Sequence, residues 1–153
     1  MKGILLFGHG ARNPDWAQPF HRIRDAILAR EPQARVESGF LELMRPTFDE
    51  GIDCLIAQGV DEVVIVPIFM AAGSHVRKDL PRMAGEAMDR HPGMRIGIAP
   101  PVGEVASVLG AMADYAMSVA PELLSDEASF VSGACVDANG GGFLIAGPSG
   151  TRL

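Results

Sequence analysis

The chain has little cysteine. Two thiols in 153 residues, Cys54 and Cys135, supply neither a disulfide framework nor a cysteine metal cluster. Cys54 falls in an apolar helical stretch, where a buried structural thiol is expected. Positive charge is also in deficit. Thirteen Lys and Arg against nineteen Asp and Glu leave a net charge of -6, which excludes a nucleic-acid binder that works through a broad basic surface. It does not exclude an acidic small molecule held by a few local cations. Long apolar runs are missing too: none approaches the roughly 18 residues of a membrane-spanning helix. The apolar stretch after Met1, Ile4 to Phe7, is too short for a signal peptide. These absences point to a soluble, cytoplasmic protein without membrane contact. With 48% apolar and 21% charged residues, the chain can fill one ordinary globular core.

The pattern that remains alternates strands with helices. Ile4-Leu5-Leu6-Phe7 is a continuous apolar run, as in a strand covered on both faces. It stops at Gly8-His9-Gly10. Asn13 offers a helix cap with Pro14 in the first turn. Trp16, Phe20, Ile23 and Ile27 follow at helical spacing as one buried stripe, and Pro32 closes that helix. Arg35 to Leu41 reads as a second strand near a sheet edge. Pro46 opens a second helix that buries Phe48, Ile52, Leu55 and Ile56 and stops at Gly59. Glu62 to Pro67 holds the clearest buried strand, Val63 to Val66. After a loop with Gly73, Ser74 and His75, a third helix is expected from about Asp79, with Pro81 in its first turn. Arg95 to Ala99 is a fourth strand, and a fourth helix runs from about Gly103 to Ala120. This order predicts right-handed crossovers and a three-layer α/β sandwich around a four-stranded parallel sheet.

Ligands collect beyond the carboxyl ends of the strands in such a sheet. His9 follows the first strand, Glu42 follows the second, and His75 lies in the loop after the third. With strand order 2-1-3-4 these loops are neighbours, since adjacent strands lie about 4.8 Å apart. Two neutral imidazoles suit a borderline divalent metal and leave coordination positions open for a substrate. A plainer reading makes His9 a turn residue and His75 a helix cap. His21 falls on the polar face of the first helix. His91 ends the third, where a cation is favoured by the helix dipole. Arg12, Arg45, Arg77 and Lys78 all lie within a few residues of the three candidates and could receive substrate carboxylates.

Leu5-Leu6-Phe7-Gly8-His9-Gly10-Ala11-Arg12 resembles the opening of the small sirohydrochlorin chelatases, the CbiX/SirB type of class II chelatase. Phe40-Leu41-Glu42 with Pro46 is similar to the second motif of that family. Val66-Pro67-Ile68-Phe69-Met70-Ala71-Ala72-Gly73-Ser74-His75-Val76, followed by Asp79-Leu80-Pro81, is similar to its third. Ala11 stands where a serine is common. The resemblance implies a chelatase-like, flavodoxin-like half domain over residues 1–124 and has no counterpart for 125–153. There the glycine run Asn139 to Gly142 and the breaker cluster Pro148-Ser149-Gly150 predict a weakly ordered C-terminal extension in which Phe143-Leu144-Ile145 could form a short strand. The resemblance also implies insertion of Co²⁺, Fe²⁺ or Ni²⁺ into sirohydrochlorin, cobalt foremost, by a homodimer with no permanent cofactor, in a siroheme, cobalamin or nickel-tetrapyrrole pathway. His9 and His75 would then hold the metal and accept protons. Glu42 would orient an imidazole or relay protons, and Arg12, Arg45 and Arg77 would meet the substrate carboxylates. The rival readings are a non-catalytic tetrapyrrole or metal carrier, a His-dependent phosphohydrolase, and a plain interaction domain. The glycines around His9 do not make a phosphate loop.

Overall fold

The computed structural model describes residues 1–125 together with 134–136 and 143–145. The chain forms two compact units, Met1–Val105 and Ala106–Leu153. In the first, strands β1 (Lys2–Gly8), β2 (Arg35–Phe40), β3 (Glu62–Pro67) and β4 (Arg95–Ile98) make one sheet in the order β2-β1-β3-β4. Every pairing is parallel, and Leu5 stands opposite both Glu37 and Ile65. The expected sheet and its order are therefore present, with β2 on an edge.

Side chains along β1 alternate between two cores. Leu5 and Phe7 join Phe48, Ile52 and Leu55 of α2 (Phe48–Ala57) and Leu80, Ala84 and Ala87 of α3 (Ser74–Arg90) on one face. Leu6 joins Phe20 of α1 (Gln18–Arg30), Val36 and Phe40 on the other. Two helices cover one face and one covers the opposite face, which is the three-layer arrangement. The core centres on β1, so the chain leaving that strand starts from a fixed point.

Local details depart from the sequence reading in four places. Trp16 does not belong to the buried stripe: it lies in a 3-10 turn over Pro14–Ala17 and is 65% exposed, while Phe20 is buried. Asn13 caps this turn, its Oδ1 accepting from the Asp15 amide at 2.9 Å, and α1 begins only at Gln18. The second helix starts after Thr47, not at Pro46. Thr47 and Glu50 form a reciprocal capping box that satisfies two backbone N–H groups. The third helix starts at Ser74, so Pro81 lies in its interior. Pro81 has no N–H to offer Arg77 O, and proline also disfavours helical geometry in the residue before it. Tertiary packing of Val76, Leu80 and Ala84 offsets both effects. Finally, Cys54 is exposed, because Ile52 and Leu55 take the inward face of α2.

His21 is exposed, as its polar-face position suggested. His91 caps the end of α3 and lies 3.2 Å from Asp53.

The second unit contains α4 (Ala106–Ser125) and an antiparallel pair, β5 (Ala134–Val136) with β6 (Phe143–Ile145). The expected strand at 143–145 is thus found, paired antiparallel with 134–136. The expectation of weak order over the rest of 126–153 lies outside the described residues. Leu109, Met112, Tyr115 and Met117 of α4 are all exposed. Among the described residues no helix is long and apolar enough to cross a membrane.

Candidate functional site

Where the β1–β2 ladder ends, at Gly8 opposite Phe40, two further backbone hydrogen bonds tie the following loops together. Leu41 N donates to Gly8 O at 2.9 Å, and Glu42 N donates to His9 O at 3.1 Å. On the other side of β1, Ile68 N donates to Phe7 O at 2.8 Å. These bonds hold the loops after β1, β2 and β3 side by side. His9 and Glu42 therefore converge although 33 residues separate them: His9 Nε2 lies 3.0 Å from Glu42 Oε1. The carboxylate fixes the ring orientation, and accepts whenever Nε2 carries the proton. Both side chains are about half exposed, 46% and 55%, so a ligand can reach them from solvent.

The turn between them depends on Gly10. Its φ is +94°, and a Cβ there would fall 1.9 Å from the Glu42 carbonyl oxygen. Leu43, just beyond Glu42, also has a positive φ of 67°. Gly10→Ala is expected to push the Glu42 loop away from His9 and destabilise the chain by about 1–3 kcal/mol. Urea denaturation and a crystal structure of the variant would check this. An unchanged midpoint together with an intact His9–Glu42 contact would refute it.

His75 is the second residue of α3, a helix that begins at the same edge of the sheet. It thus sits in a first helical turn, not in a loop. Its side chain lies outside the described ones. The structure brings His9 and Glu42 into contact and puts His75 in the first turn of the helix that follows β3. Among the described residues, no three His, Cys, Asp or Glu groups are placed to hold a metal ion together.

A cavity of about 260 Å³ opens beside His9, walled by Trp16, Phe20, Phe40, Met44 and Phe69. Gly8 makes room for its floor, since a Cβ there would stand 2.4 Å from the Phe20 ring. Reading the sequence singled out none of these walls as site residues. Asn13-Pro14-Asp15, a turn signal immediately before Trp16, was the available hint. A second hollow of about 160 Å³ lies between α3 and the end of β4, lined by Val76, Leu80, Ile98 and Arg77 among others.

The expected cations are differently occupied. Arg12 is exposed. Arg45 makes two hydrogen bonds to the Glu50 carboxylate. Arg77 bonds Glu104 at 3.0 Å and the Ala72 carbonyl at 3.3 Å. The Arg45 guanidinium and the Thr47 N–H hold the Glu50 carboxyl below its ordinary range. That pairing is present above the ordinary carboxyl range and is lost as pH falls through the lowered value. Being exposed, it contributes little to stability. Its local consequence is that Arg45 must exchange a partner before it can take a substrate carboxylate.

A family model for CbiX matches residues 3–118. The chain belongs to the CbiX family. A sirohydrochlorin cobaltochelatase of Saccharolobus solfataricus is 38% identical over 109 residues, covering 67% of this chain and 84% of that one. Among solved structures, the CbiX protein of Marinobacter aquaeolei VT8 superposes with a TM-score of 0.70 at 28% identity, over 80% of this chain and 97% of the other. The sirohydrochlorin chelatase SirB of Bacillus subtilis subspecies spizizenii, in complex with cobalt, gives a TM-score of 0.65 at 28% identity. It is matched over 78% of this chain and 51% of its own. This chain thus spans about half the length of that SirB.

Proposed function

We propose that this CbiX-family chain is a sirohydrochlorin chelatase that inserts a divalent metal, cobalt foremost and iron or nickel as alternatives, into the free macrocycle. The observation that carries the reading is the His9–Glu42 pair, 3.0 Å apart on an open sheet edge, in a chain whose relative in Saccharolobus solfataricus is a sirohydrochlorin cobaltochelatase. Insertion releases two protons from macrocycle N–H groups. A positioned imidazole that accepts one of them lowers the barrier. His9 and His75 hold the metal substrate loosely enough to give it up, which a closed four-ligand cage would not. Glu42 keeps the His9 ring in place and offers the departing proton a further acceptor.

Arg12, Arg45 and Arg77 receive carboxylates of the substrate, Arg45 and Arg77 after leaving Glu50 and Glu104. The active unit is a homodimer in the cytoplasm. A cavity beside His9 smaller than the roughly 300–1,000 Å³ of ordinary small-molecule sites supports a second copy completing the site. No resident cofactor is required.

Anaerobic mixing of sirohydrochlorin with Co²⁺, Fe²⁺ or Ni²⁺, followed by absorbance, tests the reading. Faster insertion than in buffer is expected with cobalt, together with loss of that acceleration in His75→Ala. Binding of the tetrapyrrole without any acceleration would favour a carrier instead. Light scattering should give a dimer, and a fully active monomer would contradict the paired site.

A further inference from the structure

We infer that Trp16 is the platform on which a face of the tetrapyrrole rests, a binding and positioning role that builds on the chelatase reading. The chain contains one tryptophan, and it is 65% exposed. An indole left in water forgoes the stabilisation that burial would bring, about 25 cal/mol per Å² of apolar surface. The turn over Pro14–Ala17 holds the ring outward, while Phe20, four residues on, packs inside against Phe40 with ring centroids 4.9 Å apart.

The backbone beneath Trp16 is nevertheless well anchored. Its amide donates to the Asn13 carbonyl at 3.1 Å, Asn13 caps the turn through Asp15, and Pro14 fixes the first residue. An exposed ring on an anchored turn is pre-organised for a partner, since little ordering remains to be done on binding. Its position specifies that partner. Trp16 borders the cavity that contains His9, whose other walls are Phe20, Phe40, Met44 and Phe69. Two further large apolar side chains are exposed in the loops that follow β2 and β3 at this edge, Leu43 and Met70. An apolar rim around a histidine suits a ligand with a broad flat apolar face and polar substituents at its margin. A macrocycle entering there would seat one edge in the cavity and lay the adjoining ring on the indole. Offset stacking gives favourable contact without demanding one fixed orientation.

The location of the only tryptophan supplies its own probe. Adding metal-free sirohydrochlorin to the full chain should quench indole emission saturably, because the tetrapyrrole lies against the fluorophore. Trp16→Ala should raise the dissociation constant, read from sirohydrochlorin absorbance, and the KM by about 5- to 100-fold, as removal of a stacking ring does elsewhere. The kcat should change far less. Trp16→Phe should recover most of the affinity, which a role confined to the fold of the turn would not predict, and circular dichroism should show both variants folded. Wild-type turnover with unquenched emission and an unaltered KM in Trp16→Ala would overturn the platform while leaving the chelatase reading intact. Saturable quenching, weakened in Trp16→Ala, with no metal insertion would sustain the platform and overturn the chelatase.

Discussion

His9→Ala lowers the rate of cobalt insertion into sirohydrochlorin by about 100- to 10,000-fold, the range that a positioned general base supplies. Two losses combine in this variant. The metal substrate loses one of the two imidazoles proposed to hold it, and the macrocycle loses the group proposed to take its proton. The fold should be spared, because His9 lies beyond the end of β1 and is about half exposed; its turn is set by Gly10 and by backbone bonds to the Glu42 loop. A rate loss at unchanged thermal midpoint is therefore expected. Glu42→Gln separates the remaining roles. It keeps an oxygen near Nε2 but removes the charge, so it should reduce the rate by less than His9→Ala. If Glu42→Gln were as damaging as His9→Ala, the carboxylate would carry the proton transfer itself. Wild-type rates in His9→Ala would remove His9 from the mechanism.

Phe7→Ala should produce the largest loss of stability, about 3–5 kcal/mol, against a total that for domains of this kind is about 5–15 kcal/mol. Phe7 is fully buried at the centre of the sheet. Its ring meets Phe48 of α2 at 5.9 Å and Phe69 of the loop after β3 at 5.8 Å, both edge to face. Truncation leaves a cavity that three separate elements would have to close, and the surrounding strands cannot move inward far enough to fill it. The effect should reach the site as well. Phe69 is a wall of the cavity beside His9, and losing its neighbour should loosen that wall and raise the KM for sirohydrochlorin. Urea denaturation of Phe7→Ala against Phe7→Leu measures the stability part. A loss below 1 kcal/mol would mean that the core is not centred where the fold places it.

The route from sequence to fold was short where one signal dominated. Continuous apolar runs at Ile4 to Phe7 and Val63 to Val66 mark strands buried on both faces, and the parallel sheet follows from the helices between them. The meeting of His9 with Glu42 was legible for the same reason: both residues directly follow strands, and the strand order makes those strands neighbours. Where two signals competed, periodicity alone misled. Trp16 shares helical spacing with Phe20, yet the Asn13-Pro14-Asp15 turn places it outside α1 and turns it to solvent. Pro81 suggested a late helix start, while burial of Val76 on the same face as Leu80 and Ala84 carries the helix back to Ser74. Thr47-Phe48-Asp49-Glu50 carried a capping-box signature that a proline-based start at Pro46 overlooked. Arg45 and Arg77 were legible as cations near the site. Their engagement by Glu50 and Glu104 was not, because the first depends on the fold of one loop and the second on a contact across 27 residues.

The central claim is that an open histidine edge transfers a metal and does not store one. The most direct measurement is the initial rate of cobalt insertion into anaerobic sirohydrochlorin at several protein concentrations, with the spontaneous rate subtracted. The account predicts many turnovers per chain, a rate proportional to protein, and release of the metallated product into solution. Uptake that stops at one metal or one tetrapyrrole per chain, with no rate above the spontaneous one, would contradict it.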